Sequence, residues 1–326
     1  MTSQFNRRTF VSASVAGAVL AAASVRAQTP QGGATQQGGQ AGGAPAASSL
    51  PQPGQRQGEY LEHNGAKLFY QRSGQGSPLL LVHGYPLSGA LFDRVRGRLS
   101  QDHEVITVDL RGYGQSHAPG VTDSVNTYAD DTLAVLDKLG VQKAIIGGMS
   151  MGGPTVLSMF KKAPERFAGM ILIDTTAKNA APPEAGEWQG FATLVQEKGV
   201  EAMVPFLLPV MLTGQTRMDD KAQVEYLTAI VKQCSKDAAI SGAKALAARP
   251  DVSDLLPKID VPTLVLVGLA DGLCPFEIAQ MMQQKIKGAQ LHVVPGAAHA
   301  AIFEKPDDAG AAIASWAGGV RSNGGR

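Results

Sequence analysis

Cysteine is nearly missing from this chain: Cys234 and Cys274 are the two among 326 residues. Both are read as buried thiols, although an oxidising compartment would permit a bridge between them. No group of His, Cys and acidic residues recurs at metal-ligand spacing, so neither a metal nor a cofactor is expected. His63, His103 and His117 have no convergent partners, and His292 sits inside a strand-like run. Charge is sparse at 17% and balanced, with 29 basic against 28 acidic side chains. No basic stripe or interleaved aromatic platform occurs, which argues against a nucleic-acid partner. Long hydrophobic runs are lacking too. The apolar stretch Phe10 to Val25 is short, weakly hydrophobic and rich in Ala, Gly and Ser, so no stable membrane anchor is expected. No internal repeat is visible.

What is present begins with a leader. Asn6-Arg7-Arg8-Thr9-Phe10-Val11 carries the paired arginines of a twin-arginine signal, and Val25-Arg26-Ala27 offers small residues at a cleavage position. Residues 1–27 are therefore read as a twin-arginine signal peptide. The translocon of that pathway is the expected partner during export, and a bacterial periplasm or the medium is the expected location. Residues 28–58 hold Arg56 as their sole charge and Leu50 as their sole large apolar side chain. Such a segment has little surface to offset its ordering entropy, so it is expected to be a disordered linker.

Residues 59–326 are expected to fold. A chain of that length can bury roughly three quarters of its unfolded surface. Asn64-Gly65 between strand-like runs predicts a hairpin. Strand-like runs at Leu79–Val82, Val105–Asp109, Ala144–Gly148 and Met170–Asp174 then alternate with helical ones such as Tyr128–Leu139. Alternation of this kind predicts a mostly parallel sheet with helices on both faces. From about 180 to 256 the strands stop and helical stretches follow, which predicts an inserted helical cap. The sheet resumes at Pro262, and a helix from Pro306 closes the chain.

The most telling motif is Gly148-Met149-Ser150-Met151-Gly152, between a strand-like run and a helical one. Strand, sharp turn and helix are the context of a G-x-S-x-G nucleophile elbow. The glycines let the turn hold serine in a strained conformation, with its hydroxyl lifted toward the first amides of the helix. Downstream, Asp271 and His299 each lie in the loop just past a strand's carboxyl end, where ligands bind in open α/β sheets. A free serine is a poor nucleophile and needs a base with an orienting acid behind it. His299 would be that base, Asp271 the acid, and the backbone amides of Met151 and Tyr85 the oxyanion donors. Tyr85 follows the early strand run in His83-Gly84-Tyr85-Pro86.

With the elbow, the two loops, His83-Gly84-Tyr85-Pro86 and Asp109-Leu110-Arg111-Gly112-Tyr113-Gly114-Gln115-Ser116, the chain resembles an α/β-hydrolase over residues 59 to 318. Ile173-Asp174-Thr175-Thr176-Ala177, Trp188 and Val195 to Gly199 resemble the 3-oxoadipate enol-lactonase and small-esterase group. Gly84-Tyr85-Pro86-Leu87-Ser88 resembles the cofactor-free haloperoxidases. The family's acid loop resembles Gly268-x-x-Asp271-x-x-x-Pro275, which favours Asp271 over its rival Asp174. The resemblance implies a serine hydrolase that cleaves a small or medium carboxylic ester or lactone through an acyl-enzyme. Perhydrolase or haloperoxidase-type activity and carbon–carbon bond hydrolysis are the alternatives on the same residues. A non-turnover binding protein is the remaining one. Asp109 and Arg111 are expected to brace loops, and His83 to order the oxyanion loop. Trp188, Phe191, Phe206 and Met211 in the cap are the candidate pocket residues. The oligomeric state is not legible.

Overall fold

The computed structural model describes residues 43–120 and 124–323. The expected leader and the first part of the expected linker lie outside the described residues. Eight strands form one sheet in the order β1-β2-β4-β3-β5-β6-β7-β8. They are β1 (Glu59–His63), β2 (Ala66–Ser73), β3 (Ser77–Val82), β4 (His103–Val108), β5 (Ala144–Met149), β6 (Phe167–Ile173), β7 (Thr263–Gly268) and β8 (Gln290–Val294). The first two form the predicted hairpin: Asn64 and Gly65 both take positive φ, 45° and 73°, and His63 pairs with Ala66. A turn with positive φ at both central positions follows the strand twist. β2 runs antiparallel to β4, and every later pairing is parallel.

β5 and β7 are buried along their whole length, so helices cover both faces of the sheet there. The covering helices include α1 (Asp93–Leu99), α2 (Val125–Lys138) and α3 (Gly152–Lys162). Between β6 and β7 the chain leaves the sheet for α4 (Pro182–Lys198), α5 (Val204–Met211), α6 (Gly214–Asp219), α7 (Lys221–Lys232) and α8 (Lys236–Ala247). It returns through β7, then α9 (Phe276–Lys285), β8, the short α10 (Ala301–Glu304) and α11 (Pro306–Asn323). The helical excursion is held down by two buried tyrosines from the core. Tyr85 donates its hydroxyl to the Ala239 carbonyl at 2.8 Å and Tyr113 donates to Ala238 at 3.0 Å. Small residues on that face of α8 let the rings approach.

The expected linker is corrected over its described part. Residues 43–58 are docked onto the fold, with short 3₁₀ turns at Ala47–Ser49 and Pro53–Gln55. Arg56 is buried, and its Nη2 meets Asp109 Oδ2 at 2.5 Å while the guanidinium lies over the Phe69 ring. The Arg56 backbone exchanges hydrogen bonds with the Gln115 amide, and Asp307 accepts from the Ala44 N–H. The expectation weighed apolar surface alone. Docking comes instead from one cation that answers a buried carboxylate.

Candidate active site

β5 ends and α3 begins within one turn, and Ser150 sits between them with φ 52°. Both flanking glycines are needed for packing. A Cβ on Gly148 would come within 2.2 Å of the Gly152 carbonyl, and one on Gly152 within 2.3 Å of the Val82 carbonyl. The strained turn is held from outside: Ser150 N–H donates to the Ile173 carbonyl, and Thr175 Oγ1 donates to the Ser150 carbonyl at 2.6 Å.

Folding brings the three distant residues together. His299 Nε2 lies 2.8 Å from Ser150 Oγ, and His299 Nδ1 lies 2.9 Å from Asp271 Oδ2. A carboxylate only accepts, so Nδ1 carries the proton and Nε2 accepts from the serine hydroxyl. Asp271 Oδ1 accepts the amides of Leu273 and Cys274 at 2.8 and 3.0 Å. The rival Asp174 is also buried, yet it accepts from the amides of Gly268 and Ala301. Burial, then the neighbouring Asp271 charge, pushes the Asp174 carboxyl well above the usual range. It braces the loops that carry the site.

The loop after β3 lies against the elbow. A Cβ on Gly84 would meet Ser150 Cβ at 2.8 Å. Tyr85 follows Gly84 in this loop, while Met151 sits at the start of α3, so both residues flank the serine. His83 is buried and neutral, because burial lowers its pKa to about 4. Its Nδ1–H donates to the Gly84 carbonyl and its Nε2 accepts from the Leu110 amide, which ties the loop to the end of β4. Asp109 accepts from the amides of Gly89 and Gln115, and Arg111 pairs with Asp131.

A cavity of about 480 Å³ opens beside Ser150 and His299, roofed by α4 and floored by the Asp271 loop. Trp188 lines it. Phe191, Phe206 and Met211 do not, which corrects their expected place. Phe191 is fully buried, with ring contacts to Trp188 at 6.0 Å and to Phe206 at 6.1 Å. The excursion is large enough to need an interior of its own, which Phe191 helps to fill with half-buried Phe206 against it. Met211 acts through its backbone instead: its carbonyl accepts from Ala300, and Val210 accepts from His299.

Three features were not legible in the sequence. Glu304 is buried and brackets the histidine loop to the excursion, accepting from the Ala298 amide and from the amide and hydroxyl of Thr213. The cavity wall is also charged, with Lys178, Glu184, Glu187 and Arg249. Glu184, Glu187 and Trp188 share one helix face by their spacing, a signal available only once the helix is known to begin at Pro182. Folding also gathers Asp271, Cys274 and His299, whose ligand atoms lie within 4.8 Å of one another. Linear spacing gave no hint of that group. Its carboxylate and imidazole already bond each other in line with Ser150. Cys234 and Cys274 are free thiols, and burial raises both pKa values.

Comparison with known proteins gives consistent relatives. Residues 77–306 match the family model described as alpha/beta hydrolase fold. The chain is 33% identical over 208 residues to 3-oxoadipate enol-lactonase 2 of Acinetobacter baylyi, covering 62% of this chain and 74% of that protein. It is 29% identical over 251 residues to a provisionally named non-heme chloroperoxidase of Synechocystis, covering 72% of this chain and 88% of that protein. Among solved structures, a thermophilic esterase from Thermogutta terrifontis superposes with a TM-score of 0.78 at 30% identity. That match covers 81% of this chain and 99% of the esterase.

Proposed function

This chain belongs to the α/β-hydrolase family, and on that premise we propose that it hydrolyses a small or medium carboxylic ester or lactone through a Ser150 acyl-enzyme. The observation that carries the reading is the unbroken chain of hydrogen bonds from Ser150 Oγ through His299 to Asp271, at the wall of a cavity of about 480 Å³. In this mechanism Ser150 Oγ attacks the ester carbonyl carbon as its proton passes to His299 Nε2. Asp271 stabilises the imidazolium that forms. The amides of Met151 and Tyr85 receive the oxyanion, each donor worth about 3 kcal/mol in the transition state. Collapse breaks the bond to the alcohol oxygen, which takes the proton from His299. Water then attacks the acyl carbon with His299 again as base, and Ser150 leaves with its proton restored.

A second reading keeps the same residues. Hydrogen peroxide would replace water in the second half and release a peracid. The likeness to a provisionally named chloroperoxidase favours testing it. We further propose export by the twin-arginine route, on the strength of Arg7 and Arg8 and the small residues before Gln28.

The test is a panel of p-nitrophenyl esters of graded chain length and a panel of lactones, assayed with wild type and Ser150→Ala. Loss of one triad member is expected to lower turnover by about 10⁴–10⁶. Ester hydrolysis by Ser150→Ala at the wild-type rate would sink the serine mechanism. Peracid formation from a short carboxylic acid and peroxide, faster than ester hydrolysis, would favour the second reading.

A further inference from the structure

The charged groups of the cavity wall are not equally occupied. Glu184 Oε1 accepts from Arg249 Nη2 at 2.7 Å and from Trp188 Nε1 at 3.1 Å. Arg249 Nε and Nη1 donate to the carbonyls of Lys178 and Leu246. These contacts lock Glu184, Arg249 and Trp188 to one another and fix the roof of the cavity. Glu187 lies one turn along α4 from Glu184 and also faces the cavity. Its Oε1 is shut away from solvent and has no hydrogen-bond partner among the described residues. A half-buried carboxyl beside a second acid, with bonding capacity unused, is costly to keep. Burial, then the Glu184 charge, raises its pKa to about 7. Structural need does not account for it, because the roof is already tied down by Glu184.

Resting on the hydrolase reading above, we infer that Glu187 selects substrates whose acyl group carries a hydrogen-bond donor, a hydroxyl or a protonated amine, at the end remote from the scissile carbonyl. The reacting carbon sits at Ser150, and Glu187 lines the same cavity from α4. The surfaces of Trp188, Leu246 and Leu273 lie on the same cavity and suit the apolar middle of such a chain. A donor there meets the carboxyl at its open oxygen, Oε2, since Oε1 is closed to solvent and ligand alike. A methyl end would leave it unpaired and desolvated, and a carboxylate end would set a second acid against Glu187, Glu184 being already answered by Arg249. Lys178, also on the cavity wall, is the group that would favour that anionic end, so the anionic substrate is the informative rival.

The experiment uses four p-nitrophenyl esters of matched length, ending in methyl, hydroxyl, ammonium or carboxylate, with wild type, Glu187→Leu and Glu187→Gln. The reading is each kcat/KM relative to that of the methyl-ended ester. In wild type, the hydroxyl or ammonium end is expected to raise this ratio about tenfold. Glu187→Leu is expected to bring it back to about one. Glu187→Gln separates the two donors: its amide oxygen still accepts from a hydroxyl but offers an ammonium no charge. A ratio equal in wild type and Glu187→Leu would overturn the inference, as would preference for the carboxylate end. Labelling of Ser150 by a fluorophosphonate is measured on each protein. Wild type that labels and cleaves the methyl-ended ester without donor preference fails this inference alone. Wild type that neither labels nor cleaves any ester fails the hydrolase reading and this inference with it.

Discussion

Asp174 and Asp271 are both strand-end aspartates, both buried, and within reach of one another's charge. They differ in what they bond. Asp271 Oδ2 holds His299 Nδ1, whereas Asp174 holds backbone amides of the β7 and α10 ends. Asp271→Asn removes the acceptor that fixes the imidazole tautomer and stabilises its positive charge, and a loss of about 10⁴ in kcat is expected. Asp174→Asn is expected to cost stability first and rate by much less, because it loosens loops without touching the imidazole. Steady-state kinetics and thermal unfolding of both variants decide the assignment. A greater fall in kcat for Asp174→Asn would reverse it. The same logic explains His83. A neutral imidazole with one donor and one acceptor joins the oxyanion loop to the end of β4.

At the scale of elements, the active site is assembled by segments that lie far apart in the chain. The carbonyls of Val210 and Met211, at the end of α5, accept from the histidine loop, and Glu304 bridges that loop to Thr213. The helical excursion therefore supports His299 as well as roofing the cavity. The segment at 43–58 plays a related part. Arg56 neutralises Asp109, which in turn holds the amides of Gly89 and Gln115 in the loops after β3 and β4. Removing one partner of a buried pair leaves the other charge uncompensated, at a cost of about 3 kcal/mol. Arg56→Ala, and truncation before Gly58, are each expected to lower the melting temperature by several degrees. Equal melting temperatures for the truncated and full mature chains would show that the segment rests on the surface without holding it.

At the scale of the whole molecule, the questions are where the chain is delivered and how its cavity is built. No helix among the described residues is long and apolar enough to cross a membrane. If the paired arginines direct export, active enzyme labelled by a fluorophosphonate is expected in the periplasmic fraction of a bacterial host. Arg7→Lys combined with Arg8→Lys, or a host without the twin-arginine translocon, is expected to leave it in the cytoplasm. Periplasmic label that persists in such a host would exclude the route. Inside the fold, the cavity joins the carboxyl edge of the sheet to the underside of α4. Ser150 and His299 reach the cavity from the sheet edge, and Glu184, Glu187 and Trp188 reach it from the excursion.

Local patterns were enough for the sheet, the hairpin and the elbow, and they placed Asp271, its rival Asp174 and His299 past strand ends, while the preference for Asp271 came from the family resemblance of its loop. Each of those patterns rests on a short-range rule: alternation of strand and helix, Asn64-Gly65 at positive φ, glycines where a Cβ would strike backbone, and acid and base just past strand ends. The docking of 43–58, the bracket made by Glu304, the absence of Phe191, Phe206 and Met211 from the cavity lining, and the charged roof of Glu184, Glu187 and Arg249 were decided by tertiary structure. Whether an apolar side chain faces ligand or its own helix bundle depends on which neighbours surround it. Whether one arginine orders a polar segment depends on a buried carboxylate 53 positions away. Composition carries no record of either, because both are set by pairings that exist only once the chain has folded.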